Sequence, residues 1–271
     1  MELAILFVLG LVVGSFLNVC IDRVPRGKSV ISPPSHCRAC GRALARRDLV
    51  PVLSYFWLRG RCRYCRASIP WRLPAVEVAT GILFAGAGYL VGFSPRLAPA
   101  LFYGSLFLVV LVVDLEWQII PNRLVYPALP LVWLASVLSF PPEAARSAMG
   151  FLPVALLSND AVLALSQSLA GGVAAFLVML LPWAVYPEGM GGGDVKLAAL
   201  VGLATGFPLS LLALFISFLG GGLVGGLLLL SGVKGRKDPI PFGPFLSIAA
   251  MAAFFWGDAL VAWYWHSLRL Q

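Results

Sequence analysis

Two aspartates set in an almost uncharged background are the residues best placed to do chemistry. Asp194 stands in Gly189-Met190-Gly191-Gly192-Gly193-Asp194-Val195-Lys196, where the glycines leave the backbone free to turn tightly at the edge of an apolar run. Asp114 closes another apolar run and opens Asp114-Leu115-Glu116-Trp117-Gln118-Ile119-Ile120-Pro121-Asn122-Arg123. An acid near a bilayer core is expensive, so each is a functional-site candidate once a partner can be named, and each names the other. If they approach closely, both cannot stay ionised, one retains a proton, and the pair titrates as a unit. The ionised member would take a proton from water while the neutral one polarises a peptide carbonyl, which is aspartic peptide hydrolysis. The alternative is a pair of membrane-edge acids that cap helices. Lys196 would bias the shared charge or bind lipid phosphate, and the second is preferred.

A second constellation is Cys37-Arg38-Ala39-Cys40 and Cys62-Arg63-Tyr64-Cys65, two Cys-x-x-Cys pairs separated by 21 residues. That spacing fits a tetrahedral thiolate site for structural zinc, each pair forming a knuckle that closes on the other. Two disulfides are the competing reading, disfavoured in a reducing cytoplasm. His36 could replace one cysteine, but four thiolates already fill the shell, and it reads as a solvated loop histidine. Cys20 reads as a small buried hydrophobe.

These groups must be positioned by membrane helices. Of 271 residues, 60% are hydrophobic and 12% charged, with a mean hydropathy of +0.90. The long apolar runs lack the alternation of barrel strands, so the fold class is an all-α polytopic membrane protein. Eight spans are expected: residues 3–21, 74–93, 98–113, 124–140, 166–186, 195–207, 209–230, and an eighth helix after Pro239-Ile240-Pro241-Phe242-Gly243-Pro244-Phe245 that ends near Trp265. The sixth is too short for a full crossing and is interrupted by Pro208, so it begins within the glycine loop or is partly re-entrant. An interfacial helix is expected around residues 151–157, and Asp258 reads as structural. The expected domains are 1–22, a first transmembrane helix; 23–73, a cytoplasmic zinc-binding module between the first two helices; and 74–271, a transmembrane peptidase domain.

The net charge of +8 is local, because residues 23–73 hold twelve basic side chains against one acid, Asp48. The positive-inside rule then puts that module, and by counting crossings both aspartates, in the cytoplasm. The basic residues would lie against anionic membrane lipid, and no nucleic-acid motif accompanies them. Glu77 reads as a carboxylate that complements the helix dipole or pairs with the basic loop, and Asn18 as interhelical glue.

Gly191-Gly192-Gly193-Asp194 resembles the Gly-x-Gly-Asp signature of intramembrane aspartic peptidases. With Gly14-Ser15-Phe16-Leu17-Asn18-Val19, the four cysteines, Asp114 followed by Ile120-Pro121-Asn122, and Pro241-Phe242-Gly243-Pro244-Phe245-Leu246, the order is similar to the type IV prepilin peptidases over nearly the whole chain. The resemblance implies an enzyme of the bacterial inner membrane that cleaves the leader of type IV prepilins or type II secretion pseudopilins after a glycine. It implies that the new N-terminal residue, usually phenylalanine, is then methylated with S-adenosylmethionine. It places the catalytic acids at Asp114 and Asp194 and zinc at Cys37, Cys40, Cys62 and Cys65. Where many relatives carry an acid after Ile-Pro and an aromatic within the glycine motif, this chain has Asn122 and Gly192. No Gly-x-Gly-x-x-Gly turn marks a methyl-donor site, which would have to be made by the cytoplasmic module and helix ends, with Glu77 and Asn18 as candidates. The rival classes are a cation-coupled transporter and a non-enzymatic assembly factor that docks through its zinc loop.

Overall fold

The computed structural model describes residues 1–140, 159–186, 190–235 and 238–269. The interfacial helix expected around 151–157, Gly189 of the glycine motif, and Arg236 and Lys237 of the loop after residue 230 lie outside the described residues. Nine α-helices are described: α1 (Glu2–Arg23), α2 (Leu53–Trp57), α3 (Arg72–Val91), α4 (Leu97–Trp117), α5 (Asn122–Ser139), α6 (Asp160–Val185), α7 (Gly192–Thr205), α8 (Leu209–Leu230) and α9 (Gly243–Arg269). Among the described residues there is no strand, only the isolated antiparallel bridges His36–Ala43 and Arg61–Ser68. Six helices are long and apolar enough to cross a membrane, namely α1, α3, α4, α6, α8 and α9, and the chain is a multi-pass membrane protein. The two remaining expected spans correspond to α5, which carries Pro127 and Pro130, and to the short α7.

The chain divides into two compact units, 1–109 and 110–271. In the first, α1 packs along α3. Ile21 and Leu17 of α1 and Val76, Phe84 and Ala87 of α3 supply its buried apolar contact. Polar ties fasten the segment between α1 and α3 to it. Asn18 donates from Nδ2 to the Leu73 carbonyl at 2.9 Å, Arg72 donates to Asp22 Oδ1 at 2.7 Å, and Arg38 also pairs with Asp22. α3 begins at Arg72, two residues before Pro74, because the first-turn N–H groups need no intrahelical partner and proline removes nothing there. Glu77 therefore lies beyond the first turn rather than at the helix dipole.

In the second unit α7 is the central element, packed by α5, α6, α8 and α9. Leu197, Ala198, Leu200 and Val201 have no exposed surface. At about 1.5 Å per residue its 14 residues reach only about 21 Å, short of the roughly 30 Å hydrocarbon core. Such a helix is tolerated because protein surrounds it. Its far end is clamped to α6: Ser168 Oγ donates to the Leu203 carbonyl at 2.7 Å and Gln167 Nε2 to the Phe207 carbonyl at 3.0 Å. At Gly171 of α6 the backbones nearly touch, since a Cβ there would stand 2.6 Å from the Gly202 carbonyl oxygen of α7. Small residues permit this approach, and interhelical packing replaces a hydrophobic drive that lipid cannot supply.

Candidate active site

Asp114 lies inside the last turn of α4, not beyond its end as the sequence suggests, and only 4% of its surface is exposed. A buried carboxylate needs donors. One is supplied by the first residue of α9: the Gly243 N–H donates to Asp114 Oδ2 at 2.9 Å. This N–H is one of the four at a helix start that have no intrahelical acceptor, and it sits where the helix dipole favours negative charge. Only glycine fits. A Cβ at Gly243 would stand 2.7 Å from Oδ2 and 3.1 Å from Cγ of Asp114.

Asp194 enters from the first turn of α7, which begins within the glycine run at Gly192. Its main-chain N–H donates to the Gly191 carbonyl at 3.0 Å. Burial, and then the charge of Asp114 close by, pushes the Asp194 carboxyl up to about 7, against the opposing pull of a hydrogen bond from the Gly191 backbone. The glycine run also packs on the segment after α4, where a Cβ at Gly193 would meet Ile120 Cβ at 3.1 Å. Two acids 80 residues apart in sequence are thus neighbours within the second unit. One half-buried carboxyl that holds a proton near neutrality beside a buried carboxylate has the protonation states that acid–base hydrolysis of an amide needs.

The two departures from the familiar motif occupy distinct surroundings. Asn122, first residue of α5, accepts at Oδ1 from Lys196 Nζ at 3.1 Å, and Lys196 also stands 5.3 Å over the Tyr126 ring. Lys196 therefore bridges the start of α7 to the start of α5. At Gly192 a Cβ would lie 3.6 Å from Trp183 Nε1, an ordinary contact, so a side chain is sterically admissible there.

The four cysteines of the first unit come together, with their Sγ atoms all within 4.8 Å of one another. None is in a disulfide. Each pair is folded as a knuckle of the same design: Cys37 N–H donates to the Arg42 carbonyl and Cys62 N–H to the Ala67 carbonyl, at 2.9 and 2.8 Å, and each turn is closed by an isolated bridge. Cys37 Sγ and Cys65 Sγ are 3.7 Å apart. Metal–thiolate bonds of about 2.3 Å in a tetrahedron put sulfur atoms about 3.8 Å from one another, so the cluster fits a metal ion. Backbone N–H groups of Cys40 and Ala39 pull the Cys37 thiol down to about 6, towards the thiolate that binds metal. The Asp48 carboxylate accepts from Arg63 Nε at 2.9 Å and Nη2 at 2.6 Å, a fork that holds it below the usual carboxylate range and ties the second knuckle to the loop before α2. His36 is exposed with Nδ1 3.0 Å from the Pro34 carbonyl, and Cys20 is half-buried.

Glu77 meets the basic loop at its backbone, and none of the ion pairs joins it to a basic side chain. Its Oε2 accepts the Val52 N–H at 2.7 Å, and the Ser15 hydroxyl is its other partner. Asp258 is exposed on α9. Sequence reasoning recognised the Pro241-Phe242-Gly243-Pro244-Phe245 stretch as a rigid approach to the last helix but missed its N–H as the donor to Asp114. The pairing of a glycine with two prolines at a helix start was the available signal.

Comparison with known proteins bears on the family. Residues 8–91 match the Bacterial Peptidase A24 N-terminal domain and residues 100–226 match the Type IV leader peptidase family. The chain is 34% identical to a prepilin leader peptidase/N-methyltransferase of Bacillus subtilis (strain 168), over 97% of both chains. It is 31% identical to one of Stutzerimonas stutzeri, over 97% of this chain and 93% of the relative. A protein of the same name from Aeromonas hydrophila is 32% identical over 96% of this chain and 93% of its own. No solved structure was found to match. The neighbouring acids on α4 and α7, the four-thiol module between α1 and α3, and the matches along nearly the full length agree: the chain belongs to the type IV leader peptidase family.

Proposed function

We propose that this protein is a membrane aspartic endopeptidase that removes the leader from type IV prepilins or type II secretion pseudopilins and then methylates the new N-terminus with S-adenosylmethionine. The observation that carries the cleavage reading is the meeting of Asp114 and Asp194, with Gly243 N–H oriented on Asp114. Asp114 is the base and Asp194, which keeps its proton near neutral pH, is the acid. Asp114 takes a proton from a water molecule, the water oxygen attacks the scissile carbonyl carbon, and Asp194 donates its proton to the carbonyl oxygen. Collapse of the gem-diol intermediate breaks the C–N bond: the departing amine receives the proton that Asp114 had taken, and one hydroxyl returns its proton to Asp194 as the product acid forms.

The module at residues 23–73 binds structural zinc through Cys37, Cys40, Cys62 and Cys65 and lies, with both acids, on the cytoplasmic side of the inner membrane. The twelve basic residues of that segment support this orientation. A pilin precursor fits such a site physically: its basic leader remains inside, its apolar helix lies in the bilayer, and its scissile bond falls at the boundary. When bound, S-adenosylmethionine supplies a methyl group on a sulfonium sulfur.

Incubation of the purified protein with a leader-bearing pilin, followed by mass spectrometry of the mature N-terminus, tests both steps. A shortened product bearing one added methyl is expected. Unchanged processing by Asp114→Asn or Asp194→Asn would overturn the cleavage assignment.

A further inference from the structure

Between its two cysteine pairs the first unit carries an apolar surface that none of its own elements covers. α2 buries no residue. Leu53, Phe56 and Trp57 are 66%, 68% and 86% exposed, and Leu49 and Val50 just before them are exposed as well. A cluster of that kind marks a surface that something else contacts. In sequence it is flanked by exposed arginines, Arg46 and Arg47 before it and Arg59 and Arg61 after it, while the one acid between 46 and 61, Asp48, is buried in its fork with Arg63.

One contact fixes the height of this surface. α3 is long and apolar enough to cross a membrane and starts at Arg72, directly after the exposed Trp71. Glu77 is five residues further on, about 7.5 Å along the axis, and its Oε2 accepts the Val52 N–H at 2.7 Å. Helical side chains lean towards the helix start, so Val52 stands level with the first two turns of the span rather than above its entrance. The backbone is bent to reach that point. Val52 has φ 61° and ψ −52°, and the Leu53 N–H turns back onto the Pro51 carbonyl, a three-residue turn in a region that β-branched residues rarely enter. Such a conformation persists where the surroundings over-determine it, and the bond to Glu77 does so here. α2 begins at the next residue, so Leu53 and the turn that follows start from the level of the span.

We propose that residues 49–57 are a membrane-insertion loop, with Leu53, Phe56 and Trp57 in the acyl boundary of the leaflet where α3 starts and the four arginines against anionic headgroups. The occupant is lipid because the patch is level with the end of a span, and because apolar and aromatic side chains beside cations match the two layers of a membrane interface. Trp71, exposed at the start of the same span, belongs to the same boundary. Apolar insertion, and not charge alone, then holds the segment between α1 and α3 against the bilayer, and Glu77 is the latch that sets its depth. This inference goes beyond both reactions of the proposed function and depends on neither.

Tryptophan fluorescence tests it on the full-length, zinc-loaded protein in vesicles of phosphatidylethanolamine and phosphatidylglycerol. The contribution of Trp57 is the difference between the wild-type protein and Trp57→Phe, a change that keeps an exposed position apolar. Lipid brominated near the headgroup end of its acyl chains is expected to lower that difference at least about twofold, with acrylamide in the water reaching it poorly and high salt altering neither result. In parallel, a photo-crosslinking amino acid in place of Phe56 is expected to form adducts with lipid. Should Trp57→Phe lose zinc or unfold, the crosslink at 56 decides alone. Ready quenching by acrylamide with no effect of brominated lipid would overturn the proposal, as would lipid quenching that high salt abolishes, which is contact by charge alone. Adducts to a second copy of the chain, or to residues 110–271, in place of lipid would show that protein covers the patch and would overturn it equally.

Discussion

Gly243 N–H and Asp114 Oδ2 are joined at 2.9 Å across 129 positions of sequence, and the contact leaves no room for a Cβ between them. Gly243→Ala is therefore expected to displace the Asp114 carboxylate and weaken a charged hydrogen bond worth about 1.5–3 kcal/mol, which corresponds to a fall of about 10–100-fold in kcat for leader cleavage. Steady-state kinetics on a pilin substrate check it. Zinc content should be unchanged, since the four cysteines lie in the first unit. A fully active Gly243→Ala protein would show that this N–H does not orient the acid.

The pH dependence of cleavage should carry the signature of the pair. With Asp194 pushed up to about 7, its proton is present below that pH and is lost above it, so kcat should decline as pH rises through about 7. At the acid end the rate should fall when Asp114 takes up its own proton and no base remains. A rate that stays flat from neutrality to pH 9 would exclude Asp194 as the proton donor.

Metal removal should separate the two units. Substituting Ser for Cys62, the buried thiol of the four, is expected to lower bound zinc from about one equivalent to almost none and to destabilise residues 23–73. Elemental analysis and limited proteolysis of the module report those effects. Residual cleavage in detergent should survive, because the proposed reaction uses the two acids and not the cysteines. Cleavage that follows the identity of a substituted metal in folded enzyme would contradict this.

Asn122→Asp should convert the Lys196 contact from a neutral hydrogen bond to an ion pair. At this exposed position the change in stability is expected to be within about 1 kcal/mol. A thermal melt at low and high salt detects it, with any gain shrinking as salt rises.

Much of this was legible in the residues because the medium is unforgiving. Apolar runs predicted α8 at its observed bounds, the rarity of acids singled out Asp114 and Asp194, and two Cys-x-x-Cys pairs announced a four-ligand cluster. What escaped was contact that only folding creates. Nothing local to Glu77 says that its partner is the Val52 N–H, and nothing local to Asn18 says that one end of its amide goes unmatched. Helix starts were also displaced: α3 begins at Arg72, and α6 begins at Asp160, because Asn159 caps it by accepting from the Ala161 N–H at 3.0 Å. Capping carries no hydrophobic signal, so periodicity alone set that start too late.

The near-touching of α6 and α7 at Gly171 and Gly202 bears on how this enzyme can be damaged. Gly202 lies eight residues, about 12 Å along the helix, from Asp194. A bulky residue introduced there would wedge the two cylinders apart, and the rigid rod between would carry the shift to its acid-bearing tip. Loss of activity can therefore originate deep in the bundle, at a spot that neither substrate nor solvent ever visits.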